Sequence, residues 1–263
     1  MSATSTPSQS LGVGALFGEA VRLFFGRLPL FLAVAVLPAF ALSALQLFAV
    51  PVMSDPMAAL NPLVVFTSPA FLASMVIVGA SVTMIVAVTT LAAYDVKLGK
   101  PAQISHYLQR SMRSLVPIIV LGIIFYIVFI IGLALLVVPG LYVAACFAVM
   151  TPAIVIEGAG FGGMRRAAEL SKGYRWPIAG LLLLVLIVFV IINLLVTLPI
   201  TGFSGLIDDS IPDEGMFFLL NMLDAAVAAF QYAFFAILAA LLYARLRALK
   251  EGLGFEDLAN VFE

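Results

Sequence analysis

The 263-residue chain is too apolar and too sparsely charged to be an ordinary water-soluble domain. Hydrophobic residues make up 64% of it and charged residues only 10%, with a net charge of −1 and a mean hydropathy of +1.21. Soluble domains are about half apolar and about a quarter charged, so we expect lipid to cover much of this surface. The one cysteine, Cys146, lies in an apolar run; it indicates no disulfide and is interpreted as a packing residue.

Six apolar stretches are predicted to cross a membrane. The polar segment 1–10 comes first; it is expected to be disordered and lacks the basic region of a secretory signal. Each later stretch is close to the roughly 20 residues that a spanning helix needs, and none alternates in polarity like a membrane β-strand. The chain is therefore predicted to be an all-α integral membrane protein with about six transmembrane helices. The predicted spans are 28–50, 69–93, 115–138, 141–156, 177–200 and 224–244.

The spans are predicted to form one domain, over 11–250. Spans three and four are expected to form a tight antiparallel hairpin, because Pro139 and Gly140 leave almost no loop between them. A short cytoplasmic tail over 251–263 follows. Its apolar residues stand among acids, so it is either a short helix that docks on another protein or a frayed or self-packed terminus.

Basic residues predict which side of the membrane is cytoplasmic. All thirteen lysines and arginines fall in the N-terminal flank, the loops after spans two and four, and the C-terminal flank. The loop between spans five and six carries acidic residues and no basic one. This distribution follows the positive-inside rule. With an even number of spans, both termini are predicted to be cytoplasmic, in the inner membrane of a bacterium.

The chain is predicted to contain three copies of one unit. Each unit has a basic amphipathic helix, a span that starts at a proline, and a return span. At 100° per residue, the charged and apolar side chains of the short helices separate onto opposite faces. Such helices suit the cytoplasmic interface, with arginines near lipid phosphates and apolar faces in the acyl boundary. The short helices are predicted over 17–26, 106–114 and 164–173, and the prolines are Pro29, Pro117 and Pro177.

Candidate functional residues lie at the cytoplasmic ends of the spans. The spans themselves are nearly free of ionisable groups, unlike those of most membrane enzymes and ion-coupled transporters. Glu157 ends span four, where a carboxylate is partly desolvated, so a partner is expected among Arg165, Arg166 and Arg175. A salt bridge that locks helix to span is favoured over catalysis. The candidate structural or lipid-headgroup residues are Glu157, Arg165, Arg166, Lys172, Arg175, Arg110 and Arg113.

No motif in the sequence predicts catalysis, a metal or a cofactor. His106 is the only histidine, so no histidine pair is available for metal binding or acid–base chemistry. The glycines of 158–163 are similar to those of a glycine-rich loop, but they follow a membrane span rather than a strand. No nucleic-acid-binding module is predicted either.

Two segments carry recurring motifs. Segment 138–183 has a Pro-Gly turn, a span ending in Pro and Glu, and a basic helix closing on Gly and Trp. The run LLYARLRALKEGLGFEDLANVF (241–262) has a Tyr-x-Arg-Leu-Arg ending followed by Lys-Glu-Gly. Both resemble the glycerophosphoryl diester phosphodiesterase membrane domain family, although Ala167-Ala168 replaces the family's common Arg-Ser. The matching positions are Pro139, Gly140, Pro152, Glu157, Arg166, Leu170, Gly173 and Trp176.

The resemblance implies the membrane module alone. The phosphodiesterase barrel of that family needs about 250 residues and paired histidines, which this chain does not offer beside its spans. No catalysis follows from the resemblance.

Three functions stay open from the sequence. The first is a non-enzymatic module that scaffolds a partner protein, or binds and organises lipid with anionic headgroups, through the basic helices. A membrane protein or a second copy of the chain is the protein partner that it allows. The alternative is a transporter or permease for lipid or an amphipathic solute, with a polar-lined cavity open to one side. The third is an interfacial lipid-modifying enzyme that uses Glu157 with Arg165 or Arg166.

Overall fold

The described part of the chain is built from helices. A computed structural model describes residues 11–31, 69–101, 103–207 and 214–252. These residues form helices and turns and include no strand, so the predicted all-α class is confirmed for them. The helices are α1 (Val13–Gly26), α2 (Pro69–Lys97), α3 (Ile104–Leu135), α4 (Val137–Phe147), α5 (Met150–Glu157), α6 (Gly163–Ser171), α7 (Arg175–Ile207) and α8 (Glu214–Glu251), with a 3₁₀ turn at Gly160–Gly162.

Four described stretches are long and apolar enough to cross a membrane. They fall on the third to sixth predicted spans, and α2 covers the second. Most of the first span, the segment 1–10 and all of the predicted tail beyond Gly252 lie outside the described residues. The predicted tail boundary at 251 falls on the last residue of α8. The four stretches are Ile104–Leu135, Val137–Glu157, Arg175–Val196 and Ala226–Glu251.

Large apolar side chains of α3 and α7 point away from the bundle. Ile123, Ile127 and Leu186 are each about half exposed, although the surrounding sequence is strongly apolar. Exposed apolar surface of this extent marks an interaction surface, and a lipid bilayer is the environment that covers it without further protein. The two helices therefore have the surface expected of membrane spans.

α3 runs unbroken from its basic beginning into its apolar span. Pro117 lies inside this 32-residue helix, so the prediction that Pro117 starts a separate span is wrong. An interior proline costs about 3 kcal/mol. Burial keeps the helix continuous, because one buried stripe crosses the proline. This stripe consists of Tyr107, Ser111, Ile118 and Leu121.

Pro29 and Pro177, the other two prolines of the predicted units, follow breaks in the helical path. Arg27 separates α1 from a helical segment that contains Pro29, and a three-residue turn over 172–174 separates α6 from α7. Pro177 lies in the first turn of α7, where its missing N–H removes no internal bond.

α3 and α4 form the predicted tight hairpin, but the turn lies earlier than expected. Leu136 alone separates the two helices, in an extended conformation, and Pro139 and Gly140 lie in the first turn of α4. A Cβ atom on Gly140 would stand 2.6 Å from Leu133 Cδ2, and one on Gly132 would stand 3.0 Å from Gly140 Cα. The two glycines therefore permit the close approach of the helices.

The apolar faces of α1 and α6 pack into the protein. Phe24 of α1 is fully buried, and its ring centroid lies 4.9 Å from that of Phe230 and 6.2 Å from that of Phe234, both on α8. Ala167 and Leu170 of α6 are also buried. The prediction that these faces lie in the acyl boundary is wrong for these side chains, because neighbouring helices supply the apolar surface that they need.

Charged helix ends meet at one end of the bundle. Lys97 of α2 pairs with Glu19 of α1. Arg110 of α3 binds the end of α5, and Arg166 of α6 binds Glu157 of α5. We call the part of the molecule defined by these five residues the basic end.

Candidate functional site

Glu157 is held by two neighbouring elements at the basic end. α5 stops just after it, because Gly158 adopts a left-handed conformation (φ 73°) that favours glycine. Arg166 donates from Nε and Nη2 to the two carboxylate oxygens of Glu157, each at 2.7 Å. The Tyr243 hydroxyl donates to Oε1 at 2.5 Å. The expected partner is therefore Arg166, not Arg165 or Arg175.

Two further charges complete an ionic network. Arg247 Nε donates to Glu251 Oε2 at 2.7 Å and lies 3.8 Å from Glu157 Oε1. Arg166 Nη2 also binds the Glu251 carboxylate. The ionic network consists of Glu157, Arg166, Tyr243, Arg247 and Glu251, and its two carboxylates balance its two guanidinium groups.

The ionic network joins three helices in a partly desolvated place. Its charged side chains are 11–27% exposed and belong to α5, α6 and α8. The hydrogen bond to Glu157 raises the pKa of Arg166 above its ordinary value, so this guanidinium stays charged. Charge-assisted bonds with forked geometry are among the stronger hydrogen bonds in proteins. The arrangement fits the predicted lock between helix and span.

Three other candidate residues lie apart from this network. Arg165 donates from Nε to Glu169 Oε1 at 2.8 Å, one turn along the exposed face of α6, and this bond lowers the pKa of Glu169. Arg175 donates from Nη1 to the Tyr142 hydroxyl of α4 at 2.7 Å. Lys172 is exposed in the turn after α6. Of the seven candidate residues, the structure therefore brings only Glu157 and Arg166 together in the ionic network, and these three lie outside it.

Arg110 closes the end of α5 from a different helix. Its Nε donates to the Val155 carbonyl and its Nη2 to the Ile156 carbonyl, each at 2.7 Å. The last carbonyls of a helix have no partner within it, and a cation there is favoured by the helix dipole. Arg110 thus binds α3 to α5 without a carboxylate.

A basic pocket opens between α3 and the glycine turn that follows α5. Its volume is about 340 Å³, and none of its described lining residues is acidic. Arg113 and His106 line it and are exposed, whereas Arg110 is half-buried. The lining residues are His106, Gln109, Arg110, Arg113, Ser114, Pro117, Ile154, Gly158 and Gly160.

Arg110 and Arg113 were predicted as candidates from the sequence, but the pocket that they share with His106 was not. The signal was present, because residues four and three positions apart lie on one face of a helix. Tyr243, Arg247 and Glu251 were likewise not predicted as members of the ionic network. Among these three residues, only the Arg247–Glu251 pair could be recognised from the sequence, because the two residues are four positions apart on one helix.

No family model, curated protein or solved structure matches the chain. The resemblance to the glycerophosphoryl diester phosphodiesterase membrane domain family therefore stays a prediction. The fold and composition define a class of protein that is broader than a family. The chain is a helical protein whose described part contains four helical stretches long and apolar enough for a multi-pass membrane protein.

Proposed function

We propose that the chain is a non-enzymatic module of the bacterial inner membrane that binds and organises anionic lipid through its basic end. It crosses the membrane six times in three repeated units, with both termini in the cytoplasm. Its basic end faces the cytoplasm, as the positive-inside rule requires of thirteen basic residues in cytoplasmic segments.

The main support for lipid binding is that exposed cationic side chains lie beside exposed apolar side chains at the basic end. Arg113, Arg165 and Lys172 are exposed at the basic end. Large apolar side chains close to them in sequence, Met112 and Phe161, are exposed as well. This combination suits the membrane interface, where cations meet headgroup phosphates and apolar groups enter the acyl boundary.

The ionic network favours a structural part for Glu157 over a catalytic one. Its carboxylate accepts three hydrogen bonds, two from Arg166 and one from Tyr243. Both carboxylate oxygens are thus engaged in bonds that join α5 to α6 and α8, which is the arrangement of a structural link between helices. The geometry thus supports a module without a catalytic base at this position.

Lipid composition is the variable that tests the proposal. The full chain is reconstituted in nanodiscs of phosphatidylcholine, with or without phosphatidylglycerol, and its melting temperature and retained lipids are measured. We expect phosphatidylglycerol to be enriched around the protein and to raise the melting temperature. The triple variant Arg113→Gln/Arg165→Gln/Lys172→Gln should lose the enrichment by about tenfold or more, since each cation near an anionic surface contributes about 1 kcal/mol. Equal retention of both lipids by the wild type contradicts the proposal.

A further inference from the structure

The basic pocket carries positive charge that its own lining does not neutralise. Two arginines and the only histidine line it, and its nine described lining residues include no carboxylate. The neighbouring ionic network differs, because its two positive and two negative charges cancel. Asp95 of α2 interacts with Tyr107, which is buried on a different face of α3 from the pocket. The described lining of the pocket therefore carries positive charge without an acidic residue, which favours an anion as its ligand.

Its donors are aligned by the helix that bears them. His106, Arg110, Arg113 and Pro117 follow one another at spacings of four, three and four, and so lie on one face of α3. The bonds of Arg110 to the last carbonyls of α5 fix this face against the glycine turn. Arg113 lies about one turn further along, exposed at the pocket.

The opposite wall is backbone rather than side chain. Gly158 and Gly160 both have positive φ, 73° and 51°, a conformation that other residues rarely adopt. No described side chain would meet a Cβ atom on either residue within 4 Å, so the space beside them is open. A ligand can therefore approach the main chain closely at this wall.

Apolar surface adjoins the polar recess. Met112 and Val116 lie beside the lining face of α3 and are 62% and 63% exposed, and Pro117 and Ile154 line the pocket itself. A volume of about 340 Å³ is near the lower limit of small-ligand sites, roughly 300–1,000 Å³. The pocket thus admits a headgroup, while acyl chains would lie along the exposed face of α3.

We propose that the basic pocket binds the phosphate group of one anionic phospholipid. Arg113 supplies the main charge contact, His106 and Gln109 add polar contacts, and the glycine turn bounds the headgroup. This inference rests on the proposed lipid-binding function but goes further, because it replaces a diffuse basic surface by one site of defined stoichiometry.

Native mass spectrometry of the full chain in detergent tests the site. Dioleoylphosphatidylglycerol, dioleoylphosphatidylcholine and inorganic phosphate are titrated separately, and phosphate is also added in competition with the first lipid. Arg113→Gln and His106→Gln alter the pocket. Arg22→Gln is the matched control, because it removes an exposed arginine of α1 that does not line the pocket. The melting temperature of each variant shows that it is folded.

We expect the wild type to bind one phosphatidylglycerol in preference to phosphatidylcholine. Arg113→Gln should weaken this binding about tenfold, the size of one charge-assisted hydrogen bond, and Arg22→Gln by less than about twofold. His106→Gln should weaken it in the same direction.

Three results would overturn the inference, and they are distinguishable. Equal loss in the pocket variants and in Arg22→Gln indicates a diffuse basic surface; the pocket is then wrong and the proposed function stands. Inorganic phosphate that displaces the lipid at equal concentration indicates a site for free phosphate, which refutes the lipid assignment. If the wild type binds phosphatidylglycerol and phosphatidylcholine equally, both the lipid site in the pocket and the proposed function are refuted.

Discussion

Arg166 holds both carboxylate oxygens of Glu157 with a pair of 2.7 Å hydrogen bonds that join α6 to the end of α5. Removing the charge of Glu157 leaves the two guanidinium groups of Arg166 and Arg247 with Glu251 as the one remaining carboxylate of the ionic network, in a place that is only partly hydrated. Loss of one partner from a fully buried ion pair costs about 3–5 kcal/mol. Because these side chains are up to 27% exposed, we expect Glu157→Gln to cost about 2 kcal/mol, which lowers the melting temperature in detergent by roughly 5 °C.

Glu169→Gln is the control for this variant. It also removes a carboxylate from an arginine pair on α6, but both members of the Arg165–Glu169 pair are largely exposed. Exposed pairs of this kind contribute little, so the melting temperature should move by about 1 °C or less. A Glu157→Gln protein that melts like the wild type would refute the structural part assigned to the ionic network.

Gly163 of α6 packs directly against Ile154 of α5. A Cβ atom there would stand 2.2 Å from Ile154 Cγ1, and Ile154 is itself buried in the core. Gly163→Ala should therefore force a displacement that costs about 1–3 kcal/mol, as overpacking of a core does. The melting temperature in detergent measures it.

Gly162→Ala is the matched control at the preceding position. Its Cβ atom meets nothing within 4 Å, and its φ of −74° is ordinary for alanine. This variant should melt within about 1 °C of the wild type, since a surface change away from special features alters stability by roughly 0.5 kcal/mol at most. The packing of α6 on α5 is wrong if the two alanine variants are equally stable.

Trp176 reports the depth of the basic end, because it is the only tryptophan of the chain. Its side chain is 66% exposed at the start of α7, and its ring centroid lies 5.8 Å from that of Tyr142. Tryptophan at a membrane surface occupies the headgroup level. In vesicles we expect its fluorescence to be quenched more by lipids brominated near the headgroup than by lipids brominated near the chain end. Quenching by aqueous iodide without quenching by either lipid would place Trp176 in water and oppose the proposed orientation.

The sequence was most informative where a property is local. The length of an apolar run determines whether a helix can span a bilayer, so the four described stretches that are long and apolar enough to do so were predictable from their own residues. The same holds for the salt bridge of Glu157, because a partly desolvated carboxylate needs a cation and Arg166 lies nine residues away. Tyr243 could not be found in this way, since 86 residues separate it from Glu157.

Tertiary packing decided the features that the sequence predicted wrongly. Proline is a local signal for a helix start. α3 nevertheless continues through Pro117, because the buried side chains of α3 form one stripe that extends on both sides of this proline. The amphipathic pattern of α1 predicts a buried face but not what covers it, and Phe24 packs against α8 rather than lipid. The basic pocket likewise depends on how α3 lies against the glycine turn.

The central claim is that the basic and acidic segments lie on opposite sides of the membrane. In a Cys146→Ala background, which removes the only cysteine and alters a buried position only slightly, Lys172→Cys and Ser210→Cys are compared. A membrane-impermeant maleimide is added to intact cells and to inverted membrane vesicles. We expect Ser210→Cys to be labelled only in cells and Lys172→Cys only in inverted vesicles; labelling of both from the same side is incompatible with the proposed topology.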